Sequence, residues 1–165
     1  MAPLALERSL LETIPGVGRL TAEALIAEMG IDMTRFASSA HFASWAGLCP
    51  GNNESAGKRR SARVRKGNVW LKTALVEAAL AAKKQRQTYF YALGRRLGSR
   101  RGAKRATIAV AHAIGVAAWH ILAGAQPYRD LGPHHFDNLA SDRLRRHYVR
   151  RLRDLGFNVA LEPAA

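Results

Sequence analysis

Ser55 stands before the small pair Ala56-Gly57 and the cations Lys58-Arg59-Arg60, inside the densest run of positive charge in the chain. A hydroxyl there meets a phosphate whose charge is already being neutralised. Two chemistries fit. In the first, Ser55 is one more hydrogen-bond donor in a basic loop where Lys58, Arg59, Arg60, Arg63, Arg65 and Lys66 clamp phosphates. In the second, Ser55 attacks a phosphodiester, and the cations stabilise the negative charge of a pentacovalent phosphate. The residues alone favour the clamp. A serine hydroxyl is a weak nucleophile without a base, and no histidine or acid is obviously placed to take its proton. Glu54 is adjacent in sequence, but adjacent side chains rarely share the needed geometry. Ser61 lies in the same run, yet Arg60 and Ala62 flank it, so it is the weaker candidate. Ser99, in a second basic stretch, is at most a phosphate donor.

A second pattern is Ile14-Pro15-Gly16-Val17-Gly18-Arg19-Leu20-Thr21-Ala22. It has the form of a helix-hairpin-helix. Gly16 and Gly18 let the backbone turn tightly and bring N–H groups close to a phosphate. The helix that follows points its positive end the same way. Val17 plugs the space between the helices, and Ala22 lets them approach. Such a hairpin, with Arg19 at its edge, grips DNA backbone without reading sequence. A helix–helix corner that touches no nucleic acid has the same pattern, so both readings stand.

Charge favours a polyanionic partner. The chain has 165 residues and a net charge of +14. Residues 55–105 hold 16 of the 26 Lys+Arg but only one of the 12 acids, Glu77. The remainder is close to balanced, so the excess is local, as a nucleic-acid-binding segment requires. Arg100, Arg101, Lys104 and Arg105 extend the basic set. A single cysteine, Cys49, excludes a disulfide framework and a cysteine-based zinc site. No metal ligands are assigned. His134-His135 lack partners at useful spacing. The apolar stretch near 106–125 is Ala-rich and interrupted by His112 and His120, which predicts a buried helix rather than a membrane span. The N-terminus lacks a signal-peptide pattern, so a cytoplasmic, nucleoid-associated protein is expected.

The elements that position these residues read as mostly helical. Leu4, Leu6, Leu10, Leu11 and Ile14 predict a short amphipathic helix ended by Pro15-Gly16. A second helix is predicted over about 19–29, with Leu20, Ala24, Leu25 and Ile26 apolar and Gly30 as its stop. Ser38-Ser39 can cap a third. Residues 54–67 read as a loop or a short hairpin. A long helix starts near Asn68, with Val69, Trp70, Leu71, Leu75, Val76 and Leu80 expected inward. Residues 98–102 read as a basic linker, and 103–123 as a central helix, apolar almost all round. After Gly124 an extended tail is expected, then a basic amphipathic helix carrying Leu144, Tyr148, Leu152 and Leu155. The fold class is all-α: a helix-hairpin-helix, a basic loop and a bundle with two long helices. The expected organisation is 1–36 helix-hairpin-helix, 37–128 serine-bearing domain and 129–165 variable basic tail.

Several pieces occur in a fixed order: Ile14-Pro-Gly-Val-Gly, Phe42-Ala-Ser-Trp-Ala-Gly-Leu-Cys-Pro50, Ser55-Ala-Gly-Lys-Arg-Arg, Arg65-Lys-Gly-Asn68 and Leu75-Val-Glu-Ala-Ala79. Together, over about residues 8–130, they resemble the C-terminal half of insertion-sequence transposases of the Piv-invertase-like type, which use a guiding bridge RNA. Tyr128 falls near the usual end of that domain. The resemblance implies an active site built from two modules. A RuvC-like domain supplies acidic residues that bind magnesium, and the C-terminal domain supplies a serine nucleophile, here Ser55. No cofactor is then expected in this chain, and magnesium is expected in the intact site. The implied partners are DNA, a guide RNA, a RuvC-like domain in trans and further copies in a homo-oligomer, with no membrane. Because the acidic set has no counterpart in these residues, the resemblance carries the expectation of a truncated copy, inactive in DNA cleavage by itself. The reading from another class is a non-enzymatic DNA- or RNA-binding module.

Overall fold

Helix ends in this chain fall where its small polar residues and glycines stand. Asp32 Oδ1 accepts from Thr34 N at 3.0 Å and opens a 3-10 turn, Met33–Arg35. Ser38 Oγ accepts from His41 N at 3.2 Å and starts α3, Ser39–Trp45. Asn68 Oδ1 accepts from Leu71 N at 3.0 Å and starts α4, Val69–Ala82. Thr88 Oγ1 accepts from Tyr91 N at 3.3 Å and starts α5, Tyr89–Arg101. Each such cap contributes about 1 kcal/mol by satisfying an otherwise orphaned N–H. α1, Ala5–Glu12, and α2, Arg19–Met29, precede them, and α6, Ala103–Gly124, α7, His135–Leu139, and α8, Ser141–Asp154, follow.

The computed structural model describes residues 4–51, 53–56, 58–61, 64, 66–139 and 141–161, with the backbone alone at 53–55, 58–61 and 142. The architecture is all-α with one two-stranded antiparallel ribbon, β1, Asn53–Ser55, and β2, Lys58–Ser61. Two compact units divide the chain at residues 133 and 134.

The first unit is organised around α6. This helix packs along α4 and α5 and also touches α1, α3 and the 3-10 turn, while α2 lies on α4 and α1 on α2. Leu11, Leu25, Phe42, Leu75, Phe90 and Ile114 are fully buried where these helices meet. α6 is long and apolar enough to cross a membrane by length and composition. Here its apolar residues Val110, Ile114, Ala118 and Ile121 are buried inside the bundle. The segment after α6 closes the unit. Tyr128 N donates to Thr13 Oγ1 at 2.8 Å, and the Tyr128 ring stacks on Phe90 with centroids 5.4 Å apart. Asp130 Oδ1 accepts from Tyr89 N at 3.0 Å and from Gly132 N at 2.6 Å. Burial, with the Asp130 carboxylate beside it, holds the Tyr128 phenol far above its ordinary pKa, so it stays neutral.

In the second unit, α8 places Leu144, Tyr148 and Leu152 on one stripe among six arginines, and no described residue of this unit is buried. α7 adds a helical turn where an extended tail was expected.

Two expectations are corrected. Val69 and Trp70 do not face inward: they are 70% and 76% exposed, and Leu80 is exposed as well. The stripe that packs is Leu71, Ala74, Leu75, Ala78, Ala79 and Ala82, whose spacing of three and four defines one helical face. Val69 and Trp70 fall off that face. In α2, Leu20 points to solvent, at 81% exposure, because Ala22, Leu25, Ile26 and Met29 form the buried side of that helix. Residues 98–102 are not a linker. α5 continues to Arg101, and Gly102 alone, at φ +83°, breaks the path into α6. Gly98, inside α5 and facing Ala106 of α6, costs the helix only about 1 kcal/mol, which packing against α6 offsets.

His112 on α6 gives this unit a pH dependence. Half-burial lowers its pKa below the ordinary histidine value. The folded state therefore disfavours the imidazolium, and the unfolded chain binds the proton more readily. The contribution to stability is complete above the unfolded histidine pKa of about 6.5 and is lost as pH falls towards the depressed folded value. Thermal melts between pH 7.5 and pH 5 are expected to show falling stability, with a shallower slope in His112→Gln. An equal slope in both proteins would contradict the assignment.

Candidate nucleic-acid interface

The basic segment between α3 and α4 is a hairpin. Ser55 pairs with Lys58, Glu54 with Arg59 and Asn53 with Ser61. This register leaves Arg60 as an extra residue, a bulge of the kind that bends a strand and twists its edge. Ser55 is thus the last paired residue before the turn. The next residue, Ala56, has φ +51°, in the left-handed region. A non-glycine residue there costs on the order of 1 kcal/mol, which its surroundings must offset.

The foot of the hairpin is fixed by close contact. Pro50 and Val64 form an isolated antiparallel bridge. Gly67 lies so near the α3 exit that a Cβ on it would strike Gly47 N and sit 2.6 Å from Gly47 Cα. Asn68 then ties α4 to α2: its Nδ2 donates to Glu28 Oε2 at 2.7 Å. Lys66 is exposed and pairs with no acid among the described residues. Gly57, Arg63 and Arg65 lie outside the described residues, and for Lys58, Arg59 and Arg60 the backbone register is what the structure describes.

The α1–α2 turn forms with the expected spacing. Val17 and Ala22 are buried, and Val17 N donates to Ile14 O at 3.0 Å. The two glycines differ in role. Gly16, at φ +88°, is pressed against α4: a Cβ there would strike Ala78 O and come within 2.6 Å of Ala82 N. Gly18 is open, with nothing within 4 Å of a Cβ, and is the N-cap of α2 without a side-chain cap. Arg19 Nε binds Glu23 Oε1 at 3.0 Å, and Arg8 Nη1 approaches the same oxygen at 3.4 Å. The Arg19 hydrogen bond is the main reason the Glu23 carboxyl lies below its ordinary pKa. Arg19 is thereby paired with an acid of its own helix, one turn on.

Arg100, Arg101, Lys104 and Arg105 flank Gly102 at the α5–α6 corner, all exposed and without an acid partner among the described residues. Lys104 and Arg105 stand in the first turn of α6, which carries no acid. Cations there oppose the helix dipole. An anionic partner relieves that cost.

The structure does not gather all these groups in one place. The α1–α2 turn meets α4 at Ala78 and Ala82. Lys83, just past α4, donates through Nζ to Thr107 Oγ1 at 2.9 Å, so the α5–α6 corner lies at the same end. The hairpin foot is at the other end, beside Asn68. At 1.5 Å per residue, the length of α4 separates the two groups by about 20 Å. Both groups lie in the first unit. No local sequence pattern marks this separation, which packing alone creates.

The sequence reading missed a groove at the hairpin end. It has a volume of about 920 Å³ and is lined by Val64, Lys66, Val69, Lys72, Val76 and Glu77 among others. The signal that could have found it is the helical stripe of α4, which leaves Val69 and Trp70 outside the core. Among the described residues no three His, Cys, Asp or Glu side chains come together as a metal site would require.

The all-α scaffold of the first unit carries Ser55 in a two-stranded hairpin between α3 and α4. The family model of the IS116/IS110/IS902 transposases matches residues 8–93, which include the α1–α2 turn, the hairpin and α4, and the chain belongs to that family. It is similar to the transposase for insertion sequence element IS1111A of Coxiella burnetii, with 33% identity over 125 residues, covering 72% of this chain and 33% of that protein. It is also similar to the candidate transposase y4pF/y4sB of Sinorhizobium fredii, with 32% identity over 126 residues, covering 72% of this chain and 32% of that protein. The chain thus spans about a third of the length of these curated relatives.

Proposed function

We propose that this chain is the DNA-gripping, serine-bearing part of an insertion-sequence recombination machinery, with Ser55 as the nucleophile. The observation that carries the proposal is the position of Ser55: the last paired residue of a bulged, basic hairpin, next to Ala56 at φ +51°. Strain of this kind persists where the surroundings hold it, and it clusters at sites that act. The family match across residues 8–93 supports the recombination setting.

In the proposed step, Ser55 Oγ–H gives its proton to a base outside this chain. The Oγ–P bond forms, the bond from phosphorus to one sugar oxygen breaks, and that oxygen takes a proton. Lys58, Arg59, Arg60, Arg63 and Arg65 neutralise the phosphate during the exchange. Arg19 and the α5–α6 corner hold backbone further away. A RuvC-like acidic domain supplies magnesium when present, a guide RNA selects the target, and a homo-oligomer brings two sites together.

A second reading has its own support. In it this chain is a non-enzymatic DNA- or RNA-binding module, which the exposed cations Arg100, Arg101, Lys104 and Arg105 at the α5–α6 corner support. The two readings part on one experiment. With the acidic domain, guide RNA, DNA and magnesium supplied, the wild type is expected to form a covalent protein–DNA adduct that Ser55→Ala abolishes and Ser61→Ala retains. Binding stays nearly unchanged in Ser55→Ala, because one hydroxyl contributes little among many charged contacts. No adduct from the wild type, where an intact relative reacts, would leave the binding module.

A further inference from the structure

The largest exposed ring of the first unit stands at the hairpin end of α4. Trp70 is 76% exposed and Val69 beside it 70%, while Leu71 is fully buried. Turning Trp70 inward would take Leu71 and Leu75 out of the core, so its exposure is fixed by the fold. Its platform is stiff. Asn68 caps the helix at Leu71 N and binds Glu28, and Gly67 is wedged against Gly47. By helical spacing Trp70 lies one turn before Thr73 and two before Glu77, both of which line the groove that Lys66 and Lys72 also line.

We propose that Trp70 is a stacking platform for an unpaired nucleobase of the strand held by the hairpin. This rests on the reading of the hairpin as a nucleic-acid grip. Three features select a single strand as the occupant. The ring is open to solvent, and every base offers it a π-face once unstacked. Bases inside a duplex do not, and phosphate contact alone needs no ring. Lysines 66 and 72 supply the charge that tracks a backbone beside a stacked base, in a segment whose sole acid is Glu77. Glu77 closes the far side of the groove and repels phosphate, so the backbone follows the hairpin end.

The test uses the full 165-residue chain and fluorescence-labelled oligonucleotides of one sequence, single-stranded and duplex, at low salt. Trp70→Ala is expected to weaken single-strand binding about tenfold or more, Trp70→Phe to retain most of it, and duplex binding to change less than about twofold. Thermal melts of both variants should match the wild type, as the side chain is outside the core. Equal single-strand affinity in Trp70→Ala overturns the proposal, as does an equal loss on single strand and duplex. Unchanged binding with loss of self-association in Trp70→Ala would assign the surface to protein docking instead. If the wild type binds neither oligonucleotide, the hairpin reading itself fails and this inference with it.

Discussion

Gly16→Ala is expected to destabilise the first unit by about 3 kcal/mol, while Gly18→Asp leaves it at least as stable as the wild type. Two costs add at Gly16. Its φ of +88° lies where a Cβ is strained, and the new Cβ would meet Ala78 O, Ala82 N and Ala82 Cβ in α4. Backbone atoms cannot yield as a flexible side chain can, so α1 and α2 must shift together. A loss of this size lowers Tm by roughly 10 °C in a unit of this length. Gly18 is in extended backbone at φ −96° with open space around it. Aspartate there is a strong N-cap and also complements the dipole of α2. The same charge repels a phosphate, so Gly18→Asp should weaken DNA binding if the turn grips backbone. Unchanged affinity would reduce the α1–α2 turn to a packing corner. An unchanged Tm in Gly16→Ala would contradict the packing described.

The second large effect is on salt dependence. Binding to duplex DNA is expected to fall about a thousandfold between about 50 and about 200 mM salt if roughly six phosphates are contacted. Each neutralised phosphate releases condensed counterions, and this release weakens as bulk salt rises. The separation of the basic groups adds a specific expectation. Charge reversal at the α5–α6 corner, Lys104→Glu with Arg105→Glu, should reduce the salt slope without abolishing it, because the hairpin end is about 20 Å away and remains intact. A flat response in the wild type would remove the electrostatic account.

Much of the scaffold was legible in the sequence. The spacing of Leu25, Ile26 and Met29 and the stop at Gly30 mark α2, Asn68 marks the start of α4, and the apolar run marks α6. These signals are local: caps, breakers and period. The basic segment was legible as charge, and its hairpin only as an alternative to a loop, since few β-formers appear among Lys58, Arg59 and Arg60. Packing decided what the pattern could not. Val69 and Trp70 look like core residues by type, and only the choice of the Leu71–Leu75 face puts them outside. Gly16 and Gly18 look equivalent in the motif, and only α4 distinguishes them. The distance between the α1–α2 turn and the hairpin is a tertiary fact with no local trace.

The central claim is that Ser55 is the residue joined to DNA, and one digestion tests it most directly. Trypsin cuts after Arg35, Lys58, Arg60 and Arg63, so Ser55 falls in peptide 36–58 and Ser61 in peptide 61–63. The complemented protein, trapped with DNA and treated with nuclease before trypsin, is expected to carry a nucleotide on peptide 36–58, with fragmentation placing it on Ser55. A nucleotide on peptide 61–63, or on another serine of peptide 36–58, would contradict the account.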